Sequence, residues 1–122
     1  MKYKESEEMY LETILLLQKE NPHLHAIDVA SKLGYAKSSV SRAMGLLQKN
    51  GYIEIDELGH ISFTKSGKEK AQNIYERHDI ITNLLIKIGA NESLAEENAC
   101  RIEHVITDEL FDILKSFVDK NK

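Results

Sequence analysis

The chain has 122 residues, 42% hydrophobic and 30% charged, with a formal net charge of −4, the balance of one ordinary soluble domain or a small domain with a helical arm. No apolar run approaches the ~20 residues of a membrane span, and the amino-terminal MKYKESEEMYLE is acid-rich where a secretory signal would be apolar. The one cysteine, Cys100, cannot close an internal disulfide, so the expected setting is a reducing cytoplasm.

From Ser6 to Lys19, the residues Met9, Tyr10, Leu11, Ile14, Leu15 and Leu17 recur at helical intervals, and Asn21-Pro22 ends the run. Ile27, Val29, Ala30 and Leu33 predict a short helix over 26–33, and Gly34 supplies the positive φ that a sharp helix end favours. A third helix over 37–50 is patterned by Val40, Ala43, Met44, Leu46 and Leu47 and stopped at Asn50-Gly51. Two short helices around a glycine-containing turn make a helix-turn-helix. Residues 52–56 then alternate with period two, 57–60 can turn the chain and 61–63 return it, which predicts a small hairpin and therefore a winged helix.

Thr64 can cap a long helix over 65–87, Asn91 one running to Val105, and Thr107 one over 108–120. The last carries Leu110, Phe111, Ile113, Leu114, Phe117 and Val118, more apolar surface than one short chain can cover, so a partner is expected. The fold class is mainly α with a small β-hairpin: a winged helix-turn-helix over 1–64 followed by a helical region over 65–122.

Charge is distributed unevenly. Between Asp28 and Glu54 there is no acid, and Lys32, Lys37, Arg42 and Lys49 supply four positive charges, whereas residues 92–112 hold seven acids against Arg101 alone. The first stretch suits an anion and the second a cation. At the start of the third helix, Lys37, Ser38, Ser39, Ser41 and Arg42 face outward if Val40 and Ala43 face the core, a set suited to phosphate contact and base-edge reading in the major groove. Three serines and a charge also suit a plain solvated surface; the winged-helix frame and the acid-free stretch favour double-stranded DNA.

Cys100, Glu103 and His104 stand at i, i+3 and i+4, so on one helix they share a face, and thiolate, carboxylate and imidazole form a transition-metal ligand set. Spacing alone leaves open a helix face with a stray thiol, since a buried cysteine commonly serves as a small hydrophobe. A nucleophile-base pair of Cys100 and His104 would lack an oxyanion hole and a third orienting group, so no enzyme is expected. A metal-independent winged-helix regulator with Cys100 as a redox-sensing thiol is the alternative reading. His23, His25 and His60 read as surface histidines.

With "EMYLETI" at 8–14, "SSVSRAMGLLQKNGYI", "RHDIITNLL" and "ACRIEHVITDEL" in this order, the chain resembles the diphtheria toxin repressor family of metal-dependent transcriptional regulators, which includes the manganese-transport regulators, from about Ser6 to Phe117. The resemblance implies a DNA-binding domain over 1–64, a helical metal-binding and dimerisation domain over 65–122, and a short form without the SH3-like third domain. It implies a repressor that binds operator DNA as a homodimer when a divalent ion lies between the two regions. Position by position, it implies Met9, Cys100, Glu103 and His104 as a primary site and Glu12 and His78, with Glu103 or Glu96, as a second. Met9 and Cys100 match the toxin-repressor branch and Glu12 the manganese branch, so the chain is a hybrid; Thr82 and Glu96 replace a Glu and a His of the toxin-repressor ancillary site. Thioether and thiolate favour Fe(II), the carboxylates admit Mn(II), and Zn(II), Co(II) or Ni(II) are expected activators in vitro.

Overall fold

The computed structural model describes residues 2–121, with side chains from Glu7 onward. Its elements in chain order are α1 (Lys2–Glu20), α2 (Ala26–Leu33), α3 (Lys37–Lys49), β1 (Ile53–Ile55), β2 (Ile61–Phe63), α4 (Lys65–Lys87), α5 (Glu92–Ile102) and α6 (Asp108–Lys120). Two compact units divide it, Met1–Gln72 and Asn73–Lys122, so the first two turns of α4 belong to the first unit.

In the first unit the apolar sides of three helices meet: Leu11 and Ile14 of α1, Val29 and Ala30 of α2, and Val40, Met44 and Leu47 of α3 are all buried. Gly34, at φ 72°, ends α2 in the left-handed region and its N–H bonds Ala30 O at 2.8 Å, which lets α3 start three residues later. The strands pair antiparallel, with Ile53 opposite Phe63 and Ile55 opposite Ile61. Asp56 shapes the turn between them, since its carboxylate accepts from Leu58 N–H and His60 N–H, each at 2.9 Å. The His60 N–H is the main reason that the Asp56 carboxyl is held below its ordinary value.

The hairpin is tied to its neighbours by Ile61, whose N–H bonds Leu24 O at 2.8 Å and whose carbonyl accepts from Gln18 Nε2 at 2.9 Å. Thr64 caps α4 as expected, its Oγ1 accepting from Gly67 N–H at 3.0 Å. Gly67 is required by packing, because a Cβ there would stand 1.8 Å from Tyr52 O. Lys70 Nζ lies 2.8 Å from Glu7 Oε1 and 3.2 Å from the Tyr52 hydroxyl. Burial pulls its pKa down, but these partners outweigh it and hold the ammonium above its ordinary value.

In the second unit Ile80 of α4 and Phe111 and Val118 of α6 form a small core with Leu84 and Ile106. Asn91 and Thr107 cap α5 and α6, accepting from Leu94 N–H at 2.8 Å and Leu110 N–H at 3.2 Å. One expectation is corrected: the helix anticipated to Val105 stops at Ile102. Glu103 N–H still bonds Ala99 O, but the next bonds run from Val105 and Ile106 N–H back to Ile102 O, closing a turn. The β-branched run Val105-Ile106-Thr107 disfavours further helix.

Candidate metal centre and nucleic-acid interface

In the second unit, α4 presents His78 on its buried side and the end of α5 presents Cys100 and Glu103. Glu103 is only 1% exposed, and both its oxygens meet an imidazole: Oε2 lies 3.1 Å from His78 Nδ1 and Oε1 3.1 Å from His104 Nε2. Cys100 Sγ stands 3.8 Å from the same His78 nitrogen. One donor atom from each of His78, Cys100 and Glu103 therefore lies within 4.8 Å of the others, close enough to share one ion. A carboxylate taken out of water costs several kcal/mol unless positive charge or hydrogen bonds compensate it, so this nitrogen, sulfur and oxygen set fits a divalent transition ion.

The geometry sharpens the sequence reading in two ways. Glu103 is the centre of the group, with a histidine on either oxygen. His78, expected in a second site, stands with Cys100 and Glu103, while His104 lies in the turn after α5 rather than on the helix face. Glu96, the other expected ligand in this unit, is exposed, and Thr82, which stands where the toxin-repressor branch has a Glu, is buried one turn after His78 on α4.

Met9 and Glu12 of α1 are both half-buried in the first unit. The Met9 thioether already accepts a weak bond from the Tyr35 hydroxyl at 3.6 Å, and Tyr35 lies in the turn just before α3. No sequence pattern marks this contact, because Tyr35 sits outside every apolar run.

Lys37, Ser38, Ser39, Ser41 and Arg42 are all exposed on α3, and Val40 between them is buried, as the reading-helix pattern requires. Ala36, the α3 N-cap, makes no side-chain capping bond, and the positive end of the helix favours phosphate. His23, His25 and His60, expected as surface histidines, gather beside the hairpin, with the His60 ring centroid 5.0 Å from that of His23 and 4.7 Å from that of His25. His60 Nδ1 lies 3.4 Å from Asp56 Oδ2.

A winged helix-turn-helix with a bare basic reading face, followed by a helical unit that gathers imidazole, thiol and carboxylate, defines the class of metal-responsive transcriptional regulators. The model of the iron dependent repressor N-terminal DNA binding domain matches residues 2–61, and that of its metal binding and dimerisation domain matches residues 64–122. The chain belongs to the iron-dependent repressor family. It is 34% identical over 120 residues to an uncharacterized HTH-type transcriptional regulator of Methanocaldococcus jannaschii, covering 97% of this chain and 96% of that one. It is 30% identical over 112 residues to the transcriptional regulator MntR of Escherichia coli, covering 92% and 72%. The crystal structure of the metal-dependent transcriptional regulator MtsR superimposes with a TM-score of 0.86 at 25% identity, covering 93% of this chain and 53% of that one; the present chain thus spans about half of that regulator.

The chain is accordingly a metal-dependent transcriptional repressor of the iron-dependent type. Among the described residues no helix is long and apolar enough to cross a membrane.

Proposed function

We propose that the chain acts in the cytoplasm as a homodimer that binds operator DNA when Fe(II), or next to it Mn(II), is held by His78, Cys100, Glu103 and His104. The observation that carries this reading is the buried Glu103 carboxylate between two imidazoles, with a thiol beside one of them. When bound, the ion supplies the positive charge that this carboxylate and thiolate compensate. Met9 and Glu12 are assigned as further ligands on the resemblance alone; their ligation would order the DNA-binding form. Less ordering entropy would then be charged against DNA, and metal and operator would strengthen each other's binding by the same factor.

The side chains of Lys37, Ser38, Ser39, Ser41 and Arg42 make the phosphate and base-edge contacts in this reading. Leu110, Ile113 and Phe117 form an exposed apolar row on α6, Ile113 being 61% exposed, and this row is the dimer surface. No catalytic role is assigned to Cys100 or His104.

Anaerobic titration with Co(II) tests the assignment. A thiolate-to-cobalt absorption band that is absent in Cys100→Ser is the expected result; a protein that takes up no ion, or an identical band in the variant, contradicts it.

A further inference from the structure

Two of the proposed ligands, Glu103 and His104, hang on a turn rather than a helix, because α5 ends at Ile102. A helix C-terminus leaves its last carbonyls without intrahelical partners, and a short turn has few internal bonds to hold its shape. Here the missing bonds come from one side chain. Arg77 Nη1 donates to Glu103 O at 3.1 Å and to Ile106 O at 3.2 Å, so both ends of the turn are gathered on one guanidinium. Arg77 Nη2 pairs with the carboxylate of Asp108, the first residue of α6, and the guanidinium lies over the Phe111 ring, 5.4 Å from its centroid.

Arg77 is also the neighbour of His78, whose Nδ1 meets Glu103 Oε2. Consecutive residues of α4 therefore hold the two ends of Glu103, Arg77 its carbonyl and His78 its carboxylate. The sequence carries a sign of this in the Arg-His pair of "RHDIITNLL", but a hydrogen bond to a distant carbonyl leaves no spacing to read.

We infer that Arg77 is a positioning residue of the metal centre: by fixing the 103–107 turn it presents Glu103 and His104 to the ion in one geometry. This rests on the metal assignment proposed above. Its position off the ion gives it an outer-shell role, and partners of that kind commonly change metal affinity by about 10–100-fold. The forked guanidinium is what the task needs, since a lysine ammonium is a single point that cannot span two carbonyls and a carboxylate at once. The pair with Asp108, which is 91% exposed, contributes less than the two carbonyl bonds.

The test uses the full chain and anaerobic Co(II). Arg77→Met keeps an unbranched stem over Phe111 but removes the donors; it should lower Co(II) affinity by about 10–100-fold and alter the thiolate-to-cobalt band at saturation. Arg77→Lys should recover part of the affinity, and Asp108→Asn, which leaves the arginine in place, should lower it less. Ile80→Val loosens the core that packs beside the turn but leaves the donors of Arg77 in place, and serves as the control. Wild-type affinity in Arg77→Met overturns the inference, as does an equal loss in Ile80→Val at matched thermal stability. A wild-type chain that takes up no Co(II) overturns the metal assignment and this inference with it.

Discussion

The two units keep their chemistry in opposite places. In the first, the residues suited to DNA stand bare on α3 while buried aliphatic side chains hold the helices together. In the second, the centre of the proposed ligand set is itself buried: Glu103 sits at 1% exposure with an imidazole on each oxygen. A reading face can change without disturbing the packing beneath it. A ligand set built on a buried carboxylate cannot, because removing the charge also removes the partner of two histidines.

The largest expected effect follows from that contrast. Glu103→Ala should weaken Co(II) binding by more than the ~100-fold upper range of outer-shell changes, measured by calorimetry; near wild-type affinity would break the comparison. Phe117→Glu should come next, placing a charge in the exposed apolar row of α6 and shifting the protein from dimer to monomer in sedimentation at micromolar concentration. Arg42→Ala should weaken specific operator binding by about 1–3 kcal/mol in a footprinting titration and leave Co(II) affinity unchanged; a change in both would mean that the two units are not chemically separate.

The smallest effect concerns the hairpin. Asp56 has its pKa depressed mainly by the His60 N–H, so its contribution to stability is fully present above the ordinary carboxyl value of 3.8 and is lost as pH falls through the folded-state value. Asp56→Asn should therefore lower the thermal midpoint slightly at neutral pH, with the gap to wild type closing in acid. A gap independent of pH would remove the carboxylate from the account.

What was legible in the sequence follows the same division. The helical periods, Gly34, Asn91 and Thr107 each act through neighbours in the chain, and they appear where expected except that α5 stops at Ile102 instead of Val105. The reading face was legible because a helix that buries Val40 must turn Ser38, Ser39, Ser41 and Arg42 outward. The proposed metal centre was legible only in part. Cys100, Glu103 and His104 could be chosen by type and spacing, but that spacing assumed a continuous helix, whereas the chain turns after Ile102. The pairing of His78 with Glu103 spans 25 residues and the bonds of Arg77 span 26 and 29. Contacts at such separations depend on how α4 packs against α5 and α6, which local patterns do not encode.

In the proposed mechanism the ion fills the ligand set and thereby commits the reading face to DNA. Operator binding by the wild-type chain, measured by anisotropy with and without Fe(II) or Mn(II) under anaerobic conditions, tests it most directly. Sequence-specific binding that requires the ion and disappears on adding chelator is the predicted result; equally tight, sequence-specific binding in the presence of chelator would contradict it.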